Sequence, residues 1–173
     1  MYTVRCTRRV LEALALPLVD EPQPPSTALG DWYVNFIQTR RHRLAHFVSD
    51  RSLLSVVVPV KTLKTVLERH IISLHDLLGA LGVDAKVVQA EIVEMGERAV
   101  AKTRSQSVLA SMSDLALNAR AVLEQTPSIS FQDLSLELSQ IPCGPLPMRI
   151  PAQASITLLL GRHAKAAQVS RGA

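Results

Sequence analysis

A short polar segment that runs into a helical pattern carries the side chains best suited to chemistry. Residues 102–114 read Lys-Thr-Arg-Ser-Gln-Ser-Val-Leu-Ala-Ser-Met-Ser-Asp. On a helix that begins near Ser105, small polar side chains recur on one face, beside an apolar stripe. This polar row is Ser107, Ser111, Asp114 and Asn118. Together with Lys102 and Arg104 it forms a candidate site for a ligand, a partner or a lysine-activated serine.

The same residues fit a purely structural interpretation. Serines at the start of a helix are what N-capping requires, and this segment has no glycine-rich turn and no second base. Asp114 lies midway along the predicted helix, so its carboxylate must be solvated, paired with Lys102 or Arg104, or used in function. Both interpretations stay open at the level of sequence.

Trp32 and Asn35 form a second candidate pair. Trp32 is the only tryptophan of the chain, and aromatic residues are only 3% of the composition. Asparagine is unfavourable within a strand, so Asn35 is expected to make a specific hydrogen bond. We therefore add both residues to the candidate ligand or partner site.

Arg40, Arg41 and Arg43 make the densest basic cluster of the body of the chain. At the tip of a predicted hairpin these side chains are candidate contacts for the phosphates of a nucleic acid. The alternative is a charged turn that keeps a strand edge soluble.

The net charge of +4 is not spread evenly. Four basic residues follow Pro147 in a segment without Asp or Glu, and setting them aside leaves 15 of the 19 basic residues against 15 acidic ones. These four are Arg149, Arg162, Lys165 and Arg171. The body is therefore neutral, and the basic character belongs to a C-terminal segment that would assist nucleic-acid binding.

The histidines and cysteines do not form a metal-binding pattern. Neither cysteine, Cys6 or Cys143, lies in a Cys-x-x-Cys pair, and the paired histidines lack the spacing of a zinc site. We expect no metal, no cofactor and two reduced thiols. With no signal segment and no apolar run of about 20 residues, a cytoplasmic protein without membrane contact is predicted.

The hydrophobic pattern predicts an α+β fold. Three β-type runs joined by short turns indicate an antiparallel meander, which a first strand and one later strand extend into an antiparallel sheet. Two long amphipathic helices should pack against this sheet. The meander is predicted at 31–38, 42–49 and 53–60, the other strands at 2–6 and 98–103, and the helices at 62–81 and 105–125.

We predict one domain over residues 1–160. It includes a proline-rich loop at 16–30 and a proline-rich arm at 141–151, which leads to a final helix near 152–160. Residues 161–173 are expected to be a flexible basic tail.

Four segments also resemble a family of small uncharacterised bacterial proteins that is known as a domain of unknown function. They are Arg-Cys-Thr-Arg-Arg at 5–9, Asp-Trp-Tyr-x-Asn at 31–35, Leu-Leu-Ser-Val at 53–56 and the segment 102–114. The family's last motif reads Asn-Arg-Ser-Val-Leu-Gly-Ser-Met-Asn-Asp. Here Gln106, Ala110 and Ser113 replace its Arg, Gly and second Asn, so a role that depends on that Arg would be lost. The resemblance implies a one-domain cytosolic protein and no established activity.

The first functional hypothesis is a non-enzymatic protein-binding module, because the sequence has no complete set of nucleophile, base and oxyanion donors and no phosphate-binding loop. Nucleic-acid binding through Arg40, Arg41 and Arg43 with the basic C-terminal segment is the alternative. A small-ligand or enzyme site between Lys102 and Asp114 is the third. Homo-oligomer formation is left open.

Overall fold

The structure is a computed structural model that describes residues 1–146 and 150–171. It contains five strands and six α-helices within those residues. The strands are β1 (Tyr2–Cys6), β2 (Trp32–Gln38), β3 (Arg43–Ser49), β4 (Ser55–Pro59) and β5 (Arg98–Lys102). The helices are α1 (Arg8–Leu14), α2 (Val66–Ala80), α3 (Ala85–Glu94), α4 (Gln106–Gln125), α5 (Phe131–Leu138) and α6 (Pro151–Arg171), and a short 3₁₀ turn (Leu63–Thr65) precedes α2.

The sheet is mixed, with strand order β4-β3-β2-β1-β5. The predicted antiparallel meander of β2, β3 and β4 is confirmed. The prediction that the whole sheet is antiparallel is wrong, because β1 lies parallel to both β2 and β5. Parallel pairing of consecutive strands needs a long connection, and the chain provides one between β1 and β2. The long segment between β4 and β5 carries the chain to the opposite edge of the sheet, where β5 pairs with β1.

The two faces of the sheet bury different sets of side chains. On the first face, Val4, Trp32 and Phe47 pack in one core with Leu74 and Leu77 of α2. The second face packs in a separate core with residues from α4 and α5. The second core includes Tyr33, Ile37, Leu44, Val48, Met112, Leu115 and Leu134. The sheet is therefore covered on both sides, and α4 extends over the second face.

The predicted number of long helices, two, is too low. Both predicted helices are present as α2 and α4, but α6 is a third long helix and three shorter ones accompany them. The final helix predicted near 152–160 begins at Pro151, where proline suits the first turn. It continues through the segment predicted as a flexible tail as far as Arg171. Residues 147–149 of the proline-rich arm lie outside the described residues.

Local capping signals explain several helix boundaries. The side chain of Asp84 accepts a hydrogen bond from the backbone of Lys86, and the hydroxyl of Ser130 accepts one from Asp133. The backbone of Gly82 has a φ of 77°, the left-handed conformation that ends a helix. Over residues 1–146 and 150–171, no helix is long and apolar enough to cross a membrane.

Candidate functional site

Three of the segments singled out in the sequence meet around strand β1. The strand register places Cys6 beside Val34 of β2 on one side and beside Lys102 of β5 on the other. The guanidinium of Arg5 donates to the carbonyl oxygen of Lys102 at 3.4 Å, and the hydroxyl of Tyr33 accepts from the backbone N–H of Ser105 at 3.1 Å. The start of α4 is thereby tied to the parallel half of the sheet.

A buried ion pair lies at the centre of this convergence. Arg5 Nε donates to Asp31 Oδ2 at 2.8 Å, and the two residues are only 4% and 1% exposed. The second carboxylate oxygen of Asp31 accepts from the backbone N–H of Thr3 at 3.0 Å. A charge at this depth is stable only when it is paired and hydrogen-bonded, so Asp31 fixes the orientation of Arg5.

Asp50 holds the backbone of Asp31 in place. Its Oδ1 atom accepts from the backbone N–H of Asp31 at 3.0 Å. Burial, and to a lesser extent the nearby charge of Asp31, raises the pKa of Asp50 to about 6. The adjacent Gly30 has a φ of 79°, and a side chain there would overlap the Asp50 carboxylate. Glycine is therefore required for Asp50 to approach the backbone of Asp31.

Arg5 also lines a groove on the protein surface, which we call the motif groove. Its walls are Arg5, residues 18–22 and residues 101–104, and its volume is about 340 Å³. Lys102 and Arg104 are exposed residues of the lining, and Asp20 and Glu21 are its acidic residues. The groove thus has both basic and acidic residues in its lining.

The guanidinium of Arg5 keeps unused donors. Arginine has five N–H donors, and only those to Asp31 and to the Lys102 carbonyl have partners in the described part of the chain. The remaining donors belong to a side chain that is held in place, buried and in contact with the groove. This combination suits recognition of an acidic group, because a planar guanidinium binds carboxylate or phosphate oxygens in pairs.

The N-terminus of α4 adds positive potential beside the groove. The hydroxyl of Ser105 caps the helix by accepting from the backbone N–H of Val108 at 3.3 Å. With Ser105 N–H bound to Tyr33, the backbone N–H groups of Gln106 and Ser107 are the first-turn donors left for solvent or a ligand. A helix of 20 residues also has a partial positive charge at this end.

The structure separates the candidate residues of the segment 102–114. Lys102 and Arg104 belong to the motif groove, whereas Ser107, Asp114 and Asn118 lie exposed along α4. The side-chain amide of Asn118 donates to the backbone carbonyl of Asp114 at 2.9 Å. Ser111 is buried, at 7% exposure. Only the beginning of the segment therefore contributes to the groove described here.

Trp32 and Asn35 point to different places. Trp32 is fully buried in the first-face core, edge-on to His70 with ring centroids 4.5 Å apart. Asn35 makes the specific hydrogen bonds expected from its place in a strand, since its Oδ1 atom accepts from Thr7 Oγ1 at 3.0 Å and from the backbone N–H of Phe36 at 2.8 Å. Thr7 consequently orders the connection after β1 and does not cap α1 with its side chain. Trp32 takes no part in the motif groove.

The hairpin arginines divide between the two sides of the sheet. Arg40 and Arg41 line a second groove of about 590 Å³, which we call the hairpin groove. Its walls are residues 38–42 together with Arg120, Leu123, Glu124 and Pro127. Arg43 lies elsewhere, with its guanidinium 4.4 Å from the centroid of the Phe36 ring. Arg43 is therefore outside the groove that Arg40 and Arg41 line.

Two buried histidines are structural. His46 Nε2 is 2.9 Å from Ser55 Oγ, but both residues are 0% exposed, so a substrate cannot reach this Ser–His pair. His70 stacks on Phe47 with ring centroids 4.1 Å apart. Burial lowers the pKa of His46 to about 4 and the pKa of His70 to about 3. Over the described residues, no group of three His, Cys, Asp or Glu side chains is placed to hold a metal ion.

The sequence reasoning missed Arg5 and Asp31 as site residues, although both belong to recognised segments. A usable signal was present. Arg5 interrupts the apolar strand Tyr2–Cys6, and a charge in such a strand must find a partner. Nothing local identifies that partner, because Asp31 is 26 residues away. Arg120 of the hairpin groove was missed for the same reason, since it joins Arg40 and Arg41 only through the packing of α4.

Comparison with known proteins gives a family but no characterised relative. No curated protein and no solved structure matches the chain significantly. The family model described as a domain of unknown function, DUF6933, matches residues 3–154. This range includes every residue of the motif groove and of the hairpin groove. The chain therefore belongs to the DUF6933 family.

Proposed function

We propose that this domain is a non-enzymatic binding module whose motif groove receives an acidic group of a partner protein. The observation that supports this most strongly is Arg5. Only 4% of it is exposed, yet it lines the groove, and in the described part of the chain only two of its five N–H donors have partners.

Energetics favour a functional role for the Arg5–Asp31 pair. A buried ion pair is often no more stabilising than apolar residues of similar size, because removing two charges from water costs about as much as their attraction returns. The arrangement does fix a cation at the floor of a groove. Lys102 and Arg104 add two exposed cations to the lining.

The acidic residues of the lining restrict the partner. Asp20 and Glu21 would repel a ligand that carries acidic groups throughout. An acidic side chain or terminal carboxylate with neutral or basic neighbours suits both kinds of charge, with its carboxylate on Arg5 and its basic neighbours near Asp20 and Glu21. The expected partner is therefore a protein segment of mixed charge.

Binding is favoured over catalysis by the distribution of reactive groups. The Ser–His pair of Ser55 and His46 is enclosed in the second-face core. The charged side chains of the motif groove are suited to recognising a charged ligand.

Two labelled peptides that differ at one residue test the proposal. The peptides are Ala-Lys-Ala-Glu-Ala-Lys-Ala and its Gln counterpart, both amidated at the C-terminus so that only the first carries a carboxylate, and their affinities are measured by fluorescence anisotropy. We expect the parent protein to prefer the Glu peptide by about tenfold, the equivalent of one charged hydrogen bond. The Lys102→Ala/Arg104→Ala double variant should lose most of this preference.

A matched variant controls for overall charge. Arg8→Ala/Arg9→Ala removes two exposed cations from α1, outside the groove, and should keep the preference for Glu. Equal affinity of the parent for both peptides, or equal loss in both double variants, would contradict the proposal. A protein captured by the parent and the control, and lost with Lys102→Ala/Arg104→Ala, would identify the partner.

A further inference from the structure

The hairpin groove brings together three arginine side chains that form no ion pair with the described residues. Arg40 and Arg41 come from the β2–β3 turn and Arg120 comes from α4. Among the described residues, none of the three guanidinium groups has a carboxylate within 4.0 Å, while Arg8, Arg98 and Arg162 all have one. Glu124 is the only acidic side chain of the lining. The groove therefore has an excess of positive charge.

The turn that presents Arg40 and Arg41 is held in shape. The backbone N–H of Thr39 donates to the carbonyl of His42 at 2.9 Å, and the backbone N–H of His42 donates to Thr39 Oγ1 at 2.9 Å. A turn that is already ordered loses less conformational entropy when a ligand binds. The hairpin tip is thus a preorganised wall of the groove.

The groove also offers surfaces for a flat ring. The imidazole of His42 is in the lining and lies edge-on to Phe131, with ring centroids 5.4 Å apart. Leu123 and Pro127 supply apolar surface in the same lining. Cations that follow a backbone, combined with ring and apolar surfaces for bases, are the features that bind single-stranded nucleic acid.

We infer that the hairpin groove binds single-stranded nucleic acid, with phosphates on Arg40, Arg41 and Arg120 and a base against His42, Leu123 or Pro127. This site differs from the hairpin cluster expected from sequence. It includes Arg120, which is distant in sequence, and it excludes Arg43, which stacks on Phe36. It shares no residue with the motif groove, so the two sites are independent.

Two single substitutions test this placement. Arg120→Ala removes an exposed cation from the groove, and Arg43→Ala removes an exposed hairpin cation outside it. A labelled ten-nucleotide uridine oligomer is titrated at several salt concentrations. Three phosphate contacts on a single strand give a slope of log K against log[salt] of about −2. Arg120→Ala should weaken binding about tenfold and reduce the slope by about 0.7, whereas Arg43→Ala should change neither.

Two outcomes would overturn the inference. One is the absence of binding at low salt. The other is an equal loss of affinity in both variants, which would indicate a general attraction between charges. Uridine monophosphate tests for a small-ligand site. If it binds as tightly as the oligomer, the ligand of the groove is a single nucleotide and not a strand. The Glu-peptide preference should be unchanged in Arg120→Ala, so failure here is distinguishable from failure of the motif groove.

Discussion

The motif groove and the hairpin groove both present cations, but the fold supports them in different ways. Arg5 is held by a buried ion pair with Asp31, and the backbone of Asp31 is in turn hydrogen-bonded to Asp50. Arg40 and Arg41 are exposed residues of a turn, and Arg120 is exposed on α4. The contrast predicts that substitutions at Arg5 or Asp31 alter stability, whereas the hairpin groove can change its charges at little cost in stability.

Breaking the buried ion pair should have the largest effect. Asp31→Asn leaves the Arg5 charge buried without compensation, which costs roughly 3–5 kcal/mol. Urea unfolding followed by circular dichroism measures this loss. The Arg5→Met/Asp31→Leu double variant should be less destabilised than Asp31→Asn, because no lone charge is left. A loss below about 1 kcal/mol for Asp31→Asn would contradict the claim that Asp31 holds Arg5.

Gly30→Ala tests the support behind the ion pair. The positive φ and the overlap of a new side chain with Asp50 should together cost about 1–3 kcal/mol. The matched control is Gly82→Ala, which also has a positive φ but open space around it, so it should lose less. Equal losses would show that only backbone strain matters at Gly30.

Acidification should destabilise the folded interior. The unfolded chain protonates His46 and His70 near pH 6.5, but their pKa values in the folded protein are about 4 and about 3. The stability that they contribute is complete above pH 6.5 and is lost as the pH falls from 6.5 towards 4 and 3.

Asp50 acts in the opposite direction in the same pH range. Its folded pKa of about 6 exceeds the ordinary Asp value of 3.8, so it favours the folded state as the pH falls through 6. We expect a falling melting temperature between pH 6.5 and 4, and a steeper fall in Asp50→Asn. A flat profile in the parent would contradict the buried histidines.

The smallest effects are expected on the outer face of α4. Asp114→Asn should change the free energy of unfolding by less than about 0.5 kcal/mol, because Asp114 is exposed and has no ion pair in the described part of the chain. Ser111 is buried, but its hydroxyl makes no hydrogen bond to the described residues, so Ser111→Ala should also cost less than about 0.5 kcal/mol. Strong destabilisation by Asp114→Asn in thermal unfolding would indicate a partner that the structure lacks.

Local patterns predicted much of the fold. The Ser105 cap and the periodicity of residues 105–125 predicted α4 almost to the residue, and the short separators of the meander predicted two antiparallel pairings. The pairing of β1 with β5 was not accessible in this way. It joins Tyr2 to Arg98, and neither strand carries a local signal for its partner.

The candidate site was predictable only in part. Lys102 and Arg104 were identified because they directly precede a helix cap. Arg5 and Asp31 were not, because their pairing depends on the parallel register of β1 and β2. The polar row of α4 was overvalued, since the same spacing serves a solvated helix face.

The most direct test of the central claim is an NMR titration of the parent protein with the Glu peptide, observing the side-chain Nε–H of Arg5 and the amides of Gln106 and Ser107. We expect the Arg5 signal to change with the same dissociation constant as those amide signals, and to change little when the Gln peptide is added. Binding of the Glu peptide that leaves the Arg5 signal unchanged, or shifts only Arg8 and Arg9, would contradict the assignment of Arg5 as the anchor of the motif groove.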